Sequence, residues 1–224
     1  MHAHRLTIFA GNFGSGKTEI SLNYALKLAE GTEKVYVVDM DVINPYFRSR
    51  EKQKFLQEKG VEVVYPRELK YADLPIITAD VKKVLADDNS YGIFDLGGSK
   101  DGARALGSIS SSICGNDYEM NLVVNTLRPE TSNIDGIKRI RENIEEAARL
   151  QFDHLICNIN LGPETEPDTI KENYSLVENA AKELSLPIKF IAINEELLVD
   201  DNEYHFDREI LPLKIFMNPP WVRR

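Results

Sequence analysis

Residues 11–18 read Gly-Asn-Phe-Gly-Ser-Gly-Lys-Thr, a fit to G-x-x-x-x-G-K-[ST]. Glycines at this spacing let successive backbone N–H groups turn inward on an anion. The lysine would reach the β- and γ-phosphates of a nucleotide, and the threonine hydroxyl suits Mg²⁺. The stretch therefore predicts nucleotide contacts at Gly11, Asn12, Phe13, Gly14, Ser15, Gly16, Lys17, Thr18 and Glu19. Lys17 is also expected to act in catalysis, and Thr18 to bind the metal. The bland alternative is an accidental glycine-rich turn. The motif demands a strand before it and a helix after it, and the flanking residues read that way.

Carboxylates must meet such a metal. "YGIFDLGG" is an apolar strand ending in Asp95, which suits metal-bound water, and the N–H of Gly98 could sense a γ-phosphate. "VYVVDMD" ends in Asp39 and Asp41, two residues apart and so on one side if the strand continues. In open α/β sheets the ligand crevice lies at the carboxyl ends of strands, where all three aspartates fall. Any one of them alone reads equally well as a helix cap or a solvated turn.

The elements that would position these groups are legible as periodicity. "LTIFAG", "KVYVVDMD", "VEVVYP", "YGIFDLGG", "MNLVVNT", "HLICNINL" and "PIKFIAIN" are short runs rich in Val, Ile and Phe, mostly continuous, as strands buried on both faces are. Helical stripes lie between most of them. Ile134, Ile137, Ile140, Ile144 and Ala148 form one, with Ser132 and Asp135 reading as a capping box. Ile170, Tyr174, Val177, Ala181 and Leu184 form another. The alternation predicts an α/β fold, a doubly wound, mostly parallel sheet with helices on both faces, in one nucleotide-binding domain over 1–224. The tail "LKIFMNPPWVRR" offers a last strand and a proline-stiffened end.

Composition narrows the partners. The 224 residues carry a formal net charge of −9, which counts against non-specific nucleic-acid binding. No apolar run nears the roughly 20 residues of a spanning helix, and no signal-peptide core of useful length appears. The two cysteines, Cys114 and Cys157, lie far apart with no C-x-x-C, so the expectation is a cytoplasmic protein with reduced thiols. The four histidines show no metal-ligand spacing.

Taken in order, "GNFGSGKT", "VVDMDVINPYFRSRE", "FDLGG" and "ICNINLG" resemble the MinD/ParA/cobyrinic-acid-diamide-synthase superfamily of P-loop ATPases, over roughly residues 6–195. The resemblance implies ATP and Mg²⁺ as cofactors, Asp41 positioning the attacking water, and Asp39 near the metal. It makes 41–50 and 95–98 the two switch segments. It also implies that Asn158, at a later strand end, reads adenine, with Asn194 on the next strand end as the other candidate. Most members carry a second lysine after the first glycine, which reaches a dimer partner's nucleotide; here that position is Asn12. Arg48 or Arg50 could supply charge instead, or could lie on a solvated helix face. The loop also resembles that of nickel-insertion GTPases, which read guanine with N-K-x-D. This chain has Asn158-Ile-Asn-Leu161 there, so ATP is favoured. A third branch holds an iron–sulfur cluster between subunits. Cys114 follows the second switch suggestively, but Cys157 lies inside an apolar strand.

The segment 97–117 is rich in small residues, which suits a switch element following Asp95 or a closely packed helix. Lys100 and Arg104 on it could meet an anionic substrate or partner. Three functions fit. The first is a slow ATPase acting as a nucleotide switch, completed by a homodimer or a protein partner. The second is an ATP-dependent kinase or carboxylate-activating enzyme, as dethiobiotin synthetase is. The third is a binding module that scarcely hydrolyses.

Overall fold

The seven apolar runs become strands, and all of them pair in the same direction. A computed structural model describes residues 3–31, 34–40, 52–64, 77–98, 100–198, 204 and 206–217. The strands are β1 (Leu6–Gly11), β2 (Val35–Asp39), β3 (Val61–Val64), β4 (Tyr91–Asp95), β5 (Tyr118–Val124), β6 (His154–Cys157), β7 (Ile188–Asn194) and β8 (Glu209–Leu213). They form one sheet in the order β3-β2-β4-β1-β5-β6-β7-β8, and every pairing is parallel.

The helices are α1 (Lys17–Ala29), α2 (Gln53–Glu58), α3 (Ala79–Ala86), α4 (Lys100–Gly107), α5 (Ser110–Cys114), α6 (Ile134–Ala148) and α7 (Pro167–Leu184). Alternate residues of each strand face opposite cores. Phe9, Val37 and Ile93 join Ile20 and Leu22 of α1 and Leu56 of α2 on one face. Ile8, Val38 and Phe94 join Val81, Ala105, Ile113, Ile137 and Val177, from α3 to α7, on the other. The sheet is thus doubly wound, as its apolar runs imply. Among the described residues no helix is long and apolar enough to cross a membrane.

Two local expectations shift. The last strand is Glu209–Leu213, just before the tail segment expected to supply it. Pro212 is tolerated because β8 is an edge strand. Beyond it the chain turns to α1: Lys214 N–H donates to Asn23 Oδ1, and Phe216 and Met217 N–H donate to Glu19. The cap of α6 is Asn133, whose Oδ1 accepts from Gly136 N–H at 2.8 Å. Ser132 donates instead to Pro129 O.

The amino-terminal edge of the sheet buries a charge cluster. Glu119 of β5 is 1% exposed and pairs with Lys189 of β7. Thr7 of β1 donates to the same carboxylate at 3.3 Å. His154 Nδ1 and His4 Nε2 stand 3.7 and 3.9 Å from its other oxygen. Their sequence spacing gave no hint of this gathering.

Candidate functional site: a phosphate loop between two groups of strand ends

The loop leaves β1 and enters α1 by a path only glycine permits at two points. Gly16 has φ 87°, and a Cβ there would fall 2.0 Å from Asn158 Nδ2. Gly14 has φ 71° and lies under the Arg128 side chain. At Gly11 a Cβ would meet Val123 O at 2.3 Å, so β5 runs tight against the loop. Gly16 caps α1 without a side-chain bond, leaving the first-turn N–H groups and the positive end of the helix dipole for an anion. Lys17 is 6% exposed and its Nζ donates to Asn12 O at 2.9 Å. The Ser15 hydroxyl is buried with no hydrogen-bond partner among the described residues. A glycine-rich turn at a helix N-terminus, with a buried lysine and an uncommitted hydroxyl, has the chemistry that phosphate oxygens require.

On one side of the loop stand the carboxylates. Asp39 and Asp95 face each other in register across β2 and β4, 1% and 0% exposed. Burying two neighbouring carboxylates is costly without a cation beside them, so the pair fits a metal. Among the described residues no three His, Cys, Asp or Glu gather to hold one. A cation here needs further oxygens from Thr18 and from a ligand. Gly98 sits directly on the loop, where a Cβ would lie 2.6 Å from Phe13 N. Asp41, Arg48 and Arg50 lie outside the described residues. Lys100 and Arg104 are exposed on α4. The small residues around them serve close packing: a Cβ on Gly107 would meet Ala147 O of α6 at 2.4 Å.

On the other side stand the amides. Asn158 is 2% exposed and its Nδ2 donates to Ser15 O at 2.6 Å. Asn125 donates to Asn160 O at 2.8 Å and reaches Gly14 O at 3.5 Å. Arg128 Nε donates to Gly14 O at 3.0 Å, and Asn12 Nδ2 to Glu130 Oε2 at 3.0 Å. The loop's outward carbonyls and one side chain are therefore held from the ends of β5 and β6. Sequence reasoning missed Asn125, Arg128 and Glu130. "NTLRPE" directly follows an apolar strand, and the strand-end rule that picked out the aspartates could have picked it out too.

Two expected nucleotide contacts have other partners. The Glu19 carboxylate accepts N–H bonds from Phe216 and Met217, and burial raises its pKa against those bonds. Asn194 Oδ1 accepts from Glu196 N–H, capping a short 3₁₀ turn at Glu195–Leu197. Phe13, at the loop tip, is 63% exposed. Cys157 is buried, and burial pushes its thiol up to about 12, while Cys114 is exposed.

No family model and no curated protein matches the chain. Solved structures do. The cell division protein FtsY of Thermotoga maritima superposes with TM-score 0.60 at 21% identity, over 85% of this chain and 62% of that one. Chloroplast FtsY of Physcomitrella patens gives 0.60 at 18%, over 87% and 60%. The signal recognition particle 54 kDa protein of Aeropyrum pernix, solved in complex with GDP, gives 0.54 at 20%, over 83% and 40%. The chain thus spans from 40% to 62% of the length of these three structures. At this identity the likeness establishes the phosphate-loop α/β fold.

Proposed function

We propose that the protein is a Mg²⁺-dependent nucleotide switch that binds ATP at residues 11–18 and hydrolyses it slowly. The observation that carries this reading is the loop itself, with buried Lys17 and the Ser15 hydroxyl on its concave side and Asp39 and Asp95 paired beside it. Thr18 would hold Mg²⁺, with Asp39 and Asp95 acting through its water; the ion would neutralise charge on the β- and γ-oxygens. Lys17 would leave Asn12 O for the terminal phosphates. Asp41 is assigned the attacking water, and the Gly98 N–H, stacked on the loop, the sensing of the γ-phosphate.

Adenine is the favoured base because Asn158-Ile-Asn-Leu161 lacks the lysine and aspartate of a guanine reader. Asn158 fixes the loop with Nδ2, and its Oδ1 is the acceptor offered to a purine amino group. Asn194 is the second candidate. A MinD/ParA-type arrangement, with a homodimer or a protein partner over the loop, suits the exposed Phe13.

The runner-up is an ATP-dependent small-molecule kinase or carboxylate-activating enzyme. It gains from the Asn12–Glu130 contact, which puts an anion where a dimer-crossing lysine would stand. Calorimetric titration with ATP and GTP, with and without Mg²⁺, tests the reading, together with column sizing in each state. Tight Mg²⁺-dependent ATP binding and slow phosphate release are expected; no binding of either nucleotide would refute it.

A further inference from the structure

The strand order gives a bound nucleotide a direction. Asp39 and Asp95 end β2 and β4, both on one side of β1. Metal and terminal phosphates belong with them, so the nucleoside leaves over the other side, where β5, β6 and β7 end. Arg128 stands on that side. Its Nε bonds Gly14 O at 3.0 Å, and a Cβ on Gly14 would fall 3.0 Å from that Nε, so the guanidinium lies against Gly14 on the side of the loop facing the end of β5.

The setting of Arg128 is rigid. Asn125 Oδ1 accepts from Leu127 N–H, Thr131 donates from Oγ1 to Asn125 O and from N–H to Arg128 O, and Pro129 holds Arg128 extended at φ −99°, ψ 138°. Guanidinium has five donors, and Nε uses one. Among the described residues the two Nη groups make no hydrogen bond and no ion pair, and the neighbouring Glu130 accepts from Asn12. A half-buried planar cation anchored at one edge, with its other donors uncommitted, is a recognition surface.

We propose that Arg128 forms the wall of the nucleoside subsite: Nε stays on Gly14 and the guanidinium face packs on the purine ring. This rests on the nucleotide-binding reading above. Stacking is indifferent to which purine is bound, so Arg128 contributes affinity for the nucleoside part of the ligand and none for the phosphate chain.

Titration of wild type, Arg128→Ala and Arg128→Lys with ADP, GDP and inorganic tripolyphosphate, all with Mg²⁺, separates these contributions. Arg128→Ala should weaken ADP and GDP alike by about tenfold and tripolyphosphate by less than about twofold. Arg128→Lys retains a donor for Gly14 O, which guards against a loop that merely collapses. It should bind tripolyphosphate as wild type does and recover only part of the nucleotide loss, because an ammonium has no stacking face. Equal losses for tripolyphosphate and ADP would show that Arg128 only props the loop, overturning the proposal. Unchanged ADP affinity in Arg128→Ala would overturn it as well. In both cases wild-type ADP binding leaves the nucleotide reading standing, whereas a wild type that binds neither ADP nor tripolyphosphate overturns both.

Discussion

The two ends of the sheet each bury charges, but they balance them differently. At the amino-terminal edge Glu119 is matched by Lys189, and Thr7 shares the same carboxylate. Opposite charges close on one another there. At the carboxyl-terminal edge Asp39 lies beside Asp95, like next to like, while Lys17 turns to a backbone carbonyl of its own loop. That end sets two like charges in register beside the glycine-rich loop. The cluster of opposite charges supports the fold, and the like charges beside the loop suit the ligand proposed for it.

The contrast breaks most sharply at the two lysines. Lys17→Ala should lower ATP affinity on the order of a hundredfold while leaving the melting temperature near wild type, because a charge-assisted phosphate contact is lost and no core contact is. Lys189→Met should do the reverse. It leaves Glu119 buried without its cation, which costs about 3 kcal/mol in denaturant unfolding, with ATP affinity unchanged. A Lys17→Ala protein that melts far below wild type, or a Lys189→Met protein that loses nucleotide, would dissolve the division of labour.

Asn158 sharpens the same comparison from within the ligand end. Removing its amide releases Ser15 O from a buried 2.6 Å bond and loosens the loop itself. Asn158→Ala should weaken tripolyphosphate by about 1–2 kcal/mol, and ATP by more because the Oδ1 acceptor offered to the purine is lost as well. Arg128→Ala should spare tripolyphosphate. Competition titration of both variants checks this; an Asn158→Ala protein with wild-type tripolyphosphate affinity would show that the loop keeps its shape without that amide.

What was legible in the sequence divides along a physical line. The phosphate loop could be read because its chemistry is contiguous: glycines, lysine and threonine within eight positions. The sheet could be read because strands buried on both faces are continuous apolar runs. Contacts made by adjacency of distant strands could not. Arg128 meets Gly14 only because β5 lies beside β1, and His4, His154 and Glu119 meet only because β1, β5 and β6 are neighbours. The last strand was missed by a few residues because Pro212 argues against a strand until the edge position is known. The Asn133 cap was missed because Ser132, one residue earlier, offers a competing pattern.

The smallest expected effect is on pH dependence, where the two ends should carry opposite signs. Near the loop, burial raises the Glu19 carboxyl above 4.5, with the N–H groups of Met217 and Phe216 opposing. The folded state then holds this proton more firmly than the unfolded one. Glu19 therefore favours folding below 4.5, and that contribution is lost as pH rises through its folded value. At the far end, burial lowers His154 below 6.5, with Glu119 opposing and Lys189 adding to the shift. There the unfolded state holds the proton more firmly, so the His154 contribution is present above 6.5 and is lost as pH falls through 6.5 toward its folded value. Both side chains are partly hydrated, so each slope is shallow. Denaturant unfolding at intervals between pH 4 and 8 reads them separately in Glu19→Gln and His154→Gln. Glu19→Gln should flatten the decline above 4.5, because a neutral amide oxygen still accepts from Phe216 and Met217 without a proton to lose. His154→Gln should flatten the loss below 6.5 and leave the Glu19 limb in place. If His154→Gln keeps the wild-type acid limb, His154 is not the group that sets the acid limb, and the assignment of that slope to the amino-terminal edge fails.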